Sequence, residues 1–147
     1  MSDINKPINI PKTKIKLTKD KGLSEKQVEG NNRNYSKTKN VLFEKFVSPS
    51  KRSVPDDMLT FEYGLIAFIE YKAPGKFPTE KQWFDHCKRR DRGVLVYVVD
   101  DPDIGRNIID KLIELDDNSD SESKAYWLQF EIERNRAYYT CQKIVER

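Results

Sequence analysis

Residues 65–72 have the sequence LIAFIEYK. The run is apolar at nearly every position through Ile69, which is typical of a strand buried on both faces at the centre of a sheet. It ends with Glu70 and Lys72, and residues at i and i+2 of a strand project to the same face. Charges are disfavoured on a buried strand unless they are paired or functional, so both side chains are candidates for chemistry.

A second motif, VPDD at residues 54–57, precedes this strand. Residues 57–61 are expected to form a short strand of their own. If the two strands pair antiparallel, Asp56 comes close to Glu70, and two carboxylates and an ammonium lie together. Two carboxylates can hold a divalent cation that neutralises charge on an attacked phosphate, and a lysine beside them can stabilise the same charge. The pattern indicates a metal site for cutting phosphodiesters.

The remaining sequence predicts an alternation of helices and strands. The expected elements are a helix at 25–38 with Ser24 as N-cap, a strand at 41–47, a helix from Thr79 to about 92, a strand at 94–99, a helix through 104–113 and a last helix at about 125–145. The strand–helix–strand crossover predicts a parallel strand pair. We therefore expect an α/β fold in which helices flank a small mixed sheet.

Charge and composition divide the chain into three segments. Residues 1–22 are predicted to be a flexible basic arm, because residues 1–23 hold six lysines against Asp3 and Asp20. Such an arm can contact nucleic acid, or it can be a solvated leader. The core is expected at 23–115, and an acidic linker with the C-terminal helix at 116–147.

Composition also excludes several classes of protein. At 147 residues the chain fits one domain, and no apolar run approaches the roughly 20 residues of a membrane span. The N-terminus lacks the apolar block of a secretory signal, so we expect a cytoplasmic protein.

Cysteine and histidine usage limits the kind of metal site. Cys87 and Cys141 lack CxxC spacing, and His86 is the one histidine. A metal would thus be held mainly by carboxylates, which suits Mg²⁺ or Mn²⁺. We expect Cys87 to be a small core residue and His86 to lie at the surface or boundary, neither with a catalytic role.

Several linked motifs are similar to those of one nuclease family. They are KFVSP at 45–49, RSVPD at 52–56, FIEYKAPGK at 68–76, Gln82, and VYVVD at 96–100. In order and spacing, over roughly residues 24–113, they resemble the VRR-NUC family, a branch of the PD-(D/E)xK nucleases that is common in phages. The resemblance implies a restriction-endonuclease-like core, a phage-type stand-alone nuclease and, if phage-encoded, a location in the host cytoplasm.

The resemblance also implies roles for individual residues. Asp56 matches the family's PD aspartate and Glu70 its second metal-binding acid, while Lys72 matches the catalytic lysine. Gln82 matches a family glutamine that reaches the site. Its other explanation is structural, because Thr79 and Gln82 have the spacing of a helix capping box.

The family has a further acid on the first helix, which completes the metal shell or the water network. Glu29 is the best match by spacing, and Glu25 is the alternative one turn earlier. The chain departs from the family at Ser53, where glycine is common, and at Asp57, where another residue usually follows the aspartate. Because successive strand residues point to opposite faces, we expect Asp56 rather than Asp57 to meet Glu70.

The expected substrate is DNA. Basic side chains around the predicted cleft suit contacts to the phosphate backbone, and we assign this role to Lys45, Lys51, Arg52, Lys76 and Lys81. Since no segment resembles a base-reading helix, the predicted function is a metal-dependent, structure-selective endonuclease for branched DNA such as Holliday junctions or flaps. The alternatives are cleavage of RNA, and a non-catalytic nucleic-acid-binding or replisome-associated module.

The C-terminal helix is predicted to carry one apolar stripe formed by Trp127, Phe130, Ala137, Cys141 and Ile144. Its aromatic residues Trp127 and Phe130, with Tyr138, could anchor a homodimer that makes two symmetric cuts. The alternative is that this helix packs on its own domain.

Overall fold

A computed structural model describes residues 22–146, with side chains through residue 140. The predicted arm at 1–22 falls outside this range except for Gly22. The elements in the described range are α1 (Glu25–Thr38), β1 (Leu42–Lys45), β2 (Asp57–Thr60), β3 (Ile66–Tyr71), α2 (Glu80–Asp91), β4 (Val96–Val99), α3 (Pro102–Asp116) and α4 (Ser121–Glu146). None of these helices is both long and apolar enough to cross a bilayer.

The strands form a mixed sheet in the order β1-β2-β3-β4. β1 pairs antiparallel with β2, and β2 pairs antiparallel with β3, which places Asp57 opposite Ile69. β4 runs parallel to β3, with Glu70 opposite Val98. The expected α/β class and the expected parallel crossover pair are therefore confirmed, although each strand is somewhat shorter than the sequence pattern indicated.

Capping residues define the starts of α1 and α2. The Ser24 side chain accepts a hydrogen bond from the Gln27 backbone, and the Gln27 side chain accepts one from Ser24 in return. Thr79 and Gln82 form the same capping box at α2. These reciprocal bonds satisfy amides that a helix N-terminus otherwise leaves unpaired. Just after the last residue of α2, Asp91, and its C-cap, Arg92, the chain turns away at Gly93, whose φ of 85° is a backbone conformation that favours glycine.

One face of the sheet is covered by α1 and α3. Tyr71 projects from β3 into this layer, and its hydroxyl donates to Asn32 Oδ1 at 3.0 Å. Asn32 Nδ2 in turn donates to the Pro102 carbonyl at 3.1 Å. Gly105 on α3 makes room for this buried amide, because a Cβ at that position would overlap the Asn32 side chain. A buried polar network thus sets the spacing between α1, α3 and β3.

The opposite face is covered only in part. Ile66 at the start of β3 is 46 % exposed, so the prediction that this strand is buried on both faces is wrong for its first half. Phe68 packs on the Phe46 ring at a centroid distance of 5.0 Å, and the Arg89 guanidinium lies over both rings. Burial on both faces begins only near Glu70, where α2 approaches the sheet.

The predicted apolar stripe of α4 is wrong. Ala137 and Phe130 are exposed, and the side chains of Cys141 and Ile144 lie outside the described residues. The most buried positions are instead Glu131, Asn135 and Tyr139. They face β4, which is an edge strand with backbone groups that need partners.

These polar side chains of α4 supply those partners. Asn135 Oδ1 accepts from the Val96 amide and Asn135 Nδ2 donates to the Val96 carbonyl, each at 3.2 Å. The Val98 amide donates to the Tyr139 hydroxyl at 2.8 Å. Periodicity of apolar residues could not reveal this face, because its most buried members include a carboxylate and an amide.

The connection between α3 and α4 is also shorter than predicted. It comprises residues 117–120 rather than 116–124. The Asp120 side chain accepts from the amides of Glu122 and Ser123 and so caps the first turn of α4. The polar composition that suggested a linker is therefore that of a helix start.

Candidate active site

Asp56 and Glu70 meet where β2 begins and β3 ends. Asp56 Oδ2 accepts from the Tyr71 amide at 2.8 Å, which fastens this carboxylate to the neighbouring strand. Glu70 is 1 % exposed, and its Oε2 accepts from Gln82 Nε2 at 3.1 Å and lies 3.6 Å from Lys72 Nζ. The two carboxyl groups also interact electrostatically, since the negative charge of Glu70 raises the pKa of Asp56. The structure thus brings together the acids and the lysine that the sequence motifs selected.

Gln82 combines the two roles that the sequence left as alternatives. Its Oε1 accepts from the Thr79 amide at 2.9 Å in the capping box and from Lys72 Nζ at 2.9 Å. Its Nε2 donates to Glu70. The capping bond fixes which end of the amide faces the lysine, so the start of α2 orients both Lys72 and Glu70.

Burial raises the pKa values of both acids. Burial and the negative charge of Glu70 raise the pKa of Asp56 to about 6. Burial, opposed by the nearby Lys72 charge, leaves the pKa of Glu70 raised to about 7. Two carboxylates in this state favour a cation between them, because a positive charge would offset the cost of ionising both.

Asp57 points away from this cluster, as strand geometry requires. It is fully buried on the face that carries α1, close to Glu29. Burial and the contact with Glu29 raise the pKa of Asp57 to about 9. Asp57 is therefore protonated at neutral pH, and the two carboxyl groups can share that proton.

The two candidate acids of α1 occupy different surroundings. Glu29 is buried, and its Oε2 accepts from Lys45 Nζ at 2.5 Å while Arg33 lies 3.5 Å from its other oxygen. Glu25 lies at the exposed start of the helix, where partial desolvation and the negative charge of Asp56 raise its pKa. Glu25 also raises the pKa of Glu70. Glu29 is thus engaged with Asp57, Lys45 and Arg33, and its charge also raises the pKa of Asp56. Glu25 interacts electrostatically with both Asp56 and Glu70.

The donor set fits a hard divalent cation that retains water. Across residues 22–140, no group of three or more His, Cys, Asp or Glu side chains is arranged to hold a metal. Mg²⁺ is ordinarily bound by one or two carboxylates together with water and substrate phosphates. Asp56 and Glu70 match that requirement, and Glu70 Oε1 is buried with no hydrogen-bond partner in the described part of the chain.

Comparison with known proteins agrees with this geometry. No family model matches the chain. A solved structure described as a VRR_NUC domain is similar to 58 % of this chain and 94 % of its own, with a TM-score of 0.55 and 24 % sequence identity. The chain has the VRR-NUC fold. The resemblance that the sequence motifs predicted is thereby confirmed, together with the restriction-endonuclease-like α/β core.

A phage protein is similar over part of the sequence. "Putative nuclease p44" of Acyrthosiphon pisum secondary endosymbiont phage 1 is 43 % identical over 60 residues, which are 41 % of this chain and 64 % of the phage protein. The chain thus matches less than two thirds of the length of that relative.

His86 lies at the site, and the prediction that it is a surface or boundary residue is wrong. It is fully buried on α2, with Nε2 3.6 Å from Glu70 Oε1. The signal for this position was its spacing, since His86 follows Gln82 by four residues and therefore shares its helix face. Cys87, the next residue, is half-buried against the core, as expected.

All five residues that the sequence predicts to contact DNA are exposed, but two of them are paired with acids. Lys45 is bound to Glu29, and Lys51 Nζ lies 3.3 Å from Asp85. Asp85 is buried and also binds Arg89 Nε at 2.8 Å, so it holds two cations beside the Phe46–Phe68 pair. Sequence reasoning missed this role of Asp85. The remaining residues are Arg52, Lys76 and Lys81, which are exposed on the loops and helix around the site.

Proposed function

We propose that the protein is a divalent-metal-dependent endonuclease that hydrolyses phosphodiester bonds in DNA. The observation that carries the proposal is the cluster of Asp56, Glu70 and Lys72 on one sheet face, with Gln82 bridging the lysine and the glutamate. The VRR-NUC fold and the similarity to a phage protein described as a nuclease support it.

The chain's own residues have distinct parts in this chemistry. Asp56 and Glu70 would hold Mg²⁺ or Mn²⁺, and Glu25 faces the same space from α1. When bound, the cation neutralises charge on the scissile phosphate and makes a water molecule more acidic. Lys72, oriented by Gln82, donates to the phosphate as negative charge develops there. The water oxygen bonds to phosphorus, the bond from phosphorus to one deoxyribose oxygen breaks, and a proton released by the water ends on that leaving oxygen.

The test is metal-dependent cleavage by matched variants. A labelled four-way junction, a flap and a plain duplex are incubated with Mg²⁺ or Mn²⁺ and wild type, Asp56→Asn, Glu70→Gln or Lys72→Ala. Each variant should lose at least about 100-fold in rate, because several kcal/mol of charge stabilisation disappear and each 1.36 kcal/mol is tenfold. Asp57→Asn is the control, since that carboxyl already carries a proton and faces the other side of the sheet.

Other results would contradict the proposal. If wild type cuts none of the substrates with either metal, or if Asp56→Asn cuts as fast as wild type, the protein is not this enzyme. DNA binding without cleavage would favour the non-catalytic module. Matched RNA substrates decide between DNA and RNA, because a metal site of this kind attacks either backbone.

The same assay assigns the acid of α1. We propose that Glu25 contributes to the metal environment, whereas Glu29, the better match by sequence spacing, keeps Lys45 and Asp57 in place. Glu25→Gln should raise the metal concentration needed for half-maximal cleavage more than Glu29→Gln does. The opposite order would return the assignment to Glu29.

We also propose that branched DNA is preferred and that two copies act together. Support for a dimer comes from exposed aromatic side chains on α4, where Tyr126 is 62 % and Phe130 is 37 % exposed. Trp127 and Tyr138, by contrast, pack in part against the protein's own core. Light scattering at micromolar concentration should show a dimer that Tyr126→Ser/Phe130→Ser dissociates. A monomeric wild type would remove the dimer from the proposal.

A further inference from the structure

His86 and Glu70 form an unsatisfied pair inside the protein. The His86 side chain is fully buried, and its Nε2 lies 3.6 Å from Glu70 Oε1, just beyond hydrogen-bond length. Neither ring nitrogen of His86 has a hydrogen-bond partner among the described residues, and neither does Glu70 Oε1. A buried polar atom without a partner is destabilising, so two such atoms facing each other require a physical reason.

The two oxygens of Glu70 are held differently. Oε2 accepts from Gln82 Nε2 at 3.1 Å and lies 3.6 Å from Lys72 Nζ. Oε1 lies 3.6 Å from His86 Nε2 and has no hydrogen-bond partner among the described residues. A carboxylate anchored through one oxygen can still turn about its Cγ–Cδ bond, and a donor at the second oxygen would fix the plane of the group.

The imidazole is suited to be that donor. A neutral imidazole carries a single N–H, either on Nδ1 or on Nε2. With Glu70 ionised, as a metal ligand must be, a hydrogen on Nδ1 would leave the Nε2 lone pair facing the lone pairs of Glu70 Oε1, and the contact would be repulsive. If the hydrogen is on Nε2, it points to Oε1, and a shift of a few tenths of an ångström completes the bond.

We propose that His86 is a positioning residue that donates its Nε2–H to Glu70 Oε1 and holds the Glu70 carboxylate in the orientation that receives the divalent cation. The role rests on the proposed function, because it takes Glu70 as a metal ligand. Hydrogen-bond partners of metal ligands typically change metal affinity or activity about 10–100-fold when they are removed. His86 itself does not touch the substrate.

The first test measures metal binding in the absence of DNA. Calorimetric titration of Mn²⁺ into full-length protein compares wild type with His86→Leu, which removes the donor, and with His86→Gln, whose Nε2–H can replace it. His86→Leu should weaken Mn²⁺ binding about 10–100-fold, and His86→Gln should restore most of the affinity. Cys87→Ala, a substitution of the next residue on α2, controls for general loosening of the helix and should leave the affinity unchanged.

Each alternative result contradicts the role in a recognisable way. Equal Mn²⁺ affinity in wild type and His86→Leu overturns the positioning role and leaves the proposed nuclease intact. Equal losses in the leucine and glutamine variants show that ring packing alone matters and overturn it as well. If wild type binds no Mn²⁺, the metal-dependent function and the role of His86 are overturned together.

A second test needs no variant and so does not depend on how the variants fold. The chain contains one histidine, so its imidazole nitrogens give unambiguous signals in a long-range ¹⁵N–¹H spectrum of the wild-type protein. At pH 7 Nε2 should carry a hydrogen. A ring whose only hydrogen is on Nδ1 overturns the proposal.

Discussion

At the scale of single residues, the neighbouring aspartates Asp56 and Asp57 lie on opposite faces of the sheet, because β-strand side chains alternate between faces. Asp56 joins Glu70, and Asp57 enters the layer under α1 beside Glu29. Two adjacent and chemically identical side chains therefore differ in burial, in pKa and in the residues they contact. The difference arises from one step of backbone geometry rather than from their own chemistry.

The raised pKa of Asp57 makes stability depend on pH. Its pKa is about 9 in the folded protein and near its ordinary value of 3.8 when unfolded, so the folded state binds the extra proton between these values. The stability that this proton confers is fully present below about pH 4 and is lost as the pH rises through about 9. Asp57→Asn should therefore weaken the decline in melting temperature between pH 6 and 9, as thermal unfolding of the metal-free protein would measure.

The control for this prediction is Asp110→Asn. Asp110 is exposed on α3 and lies away from the sheet, so its substitution should preserve the slope of the wild type. A slope that Asp57→Asn leaves unchanged would contradict the shared proton. Cleavage activity should survive Asp57→Asn, in contrast to Asp56→Asn.

At the scale of elements, α4 completes the sheet by means of side chains. β4 is an edge strand, and its outward backbone groups are bonded by Asn135 and Tyr139 rather than by another strand. Arg90 on α2 is a third residue that bonds this backbone, from Nε to the Val96 carbonyl at 2.9 Å. The edge is closed in this way to further strand pairing.

Asn135→Leu should destabilise the protein by about 1–3 kcal/mol, because the buried Val96 amide would lose its only acceptor in the described structure. Chemical denaturation followed by circular dichroism measures this change. Gln129→Ala, at an exposed position of the same helix, should change stability by less than about 0.5 kcal/mol. Similar effects of the two substitutions would mean that the hydrogen bonds from Asn135 to β4 do not contribute to the stability of the protein.

At the scale of the whole molecule, the candidate site, Lys76 and Lys81 lie at one end of the sheet. Lys76 follows β3 in the loop that leads to α2, and Lys81 lies in the first turn of that helix. Lys39 lies at the far end of α1, near the turn that joins β2 to β3. The distribution predicts that DNA lies across the end that contains Glu70.

This arrangement gives a prediction about salt. Lys76→Ala and Lys81→Ala should each weaken DNA binding and reduce the slope of log affinity against log salt concentration by about 1, because one phosphate contact is lost. Fluorescence anisotropy with a labelled junction between 50 and 200 mM salt measures the slope. Lys39→Ala should leave it unchanged, and an equal effect of all three substitutions would place the DNA elsewhere.

Much of this architecture was accessible from local sequence. Side-chain direction along a strand has a period of two, so Glu70 and Lys72 had to share a face, and Asp56 rather than Asp57 had to join them once the strands paired. The helix starts at Ser24 and Thr79 could also be predicted from local sequence, since a capping box involves residues only three apart. The sequence by itself therefore determined the class of fold, the strand that carries the site, and the group of Asp56, Glu70, Lys72 and Gln82.

Other features were decided only when the elements packed together. The distance from α1 to the strands determines that Glu25 acts on Asp56 and Glu70 while Glu29 binds Lys45, and both acids fit the sequence spacing. His86 is buried because α2 lies over the end of β3, and Asn135 is buried because β4 is an edge. In each case the position of a polar residue depends on a partner that is distant in sequence, because the free energy of burying the residue depends on that partner. A local sequence pattern contains no information about such a partner.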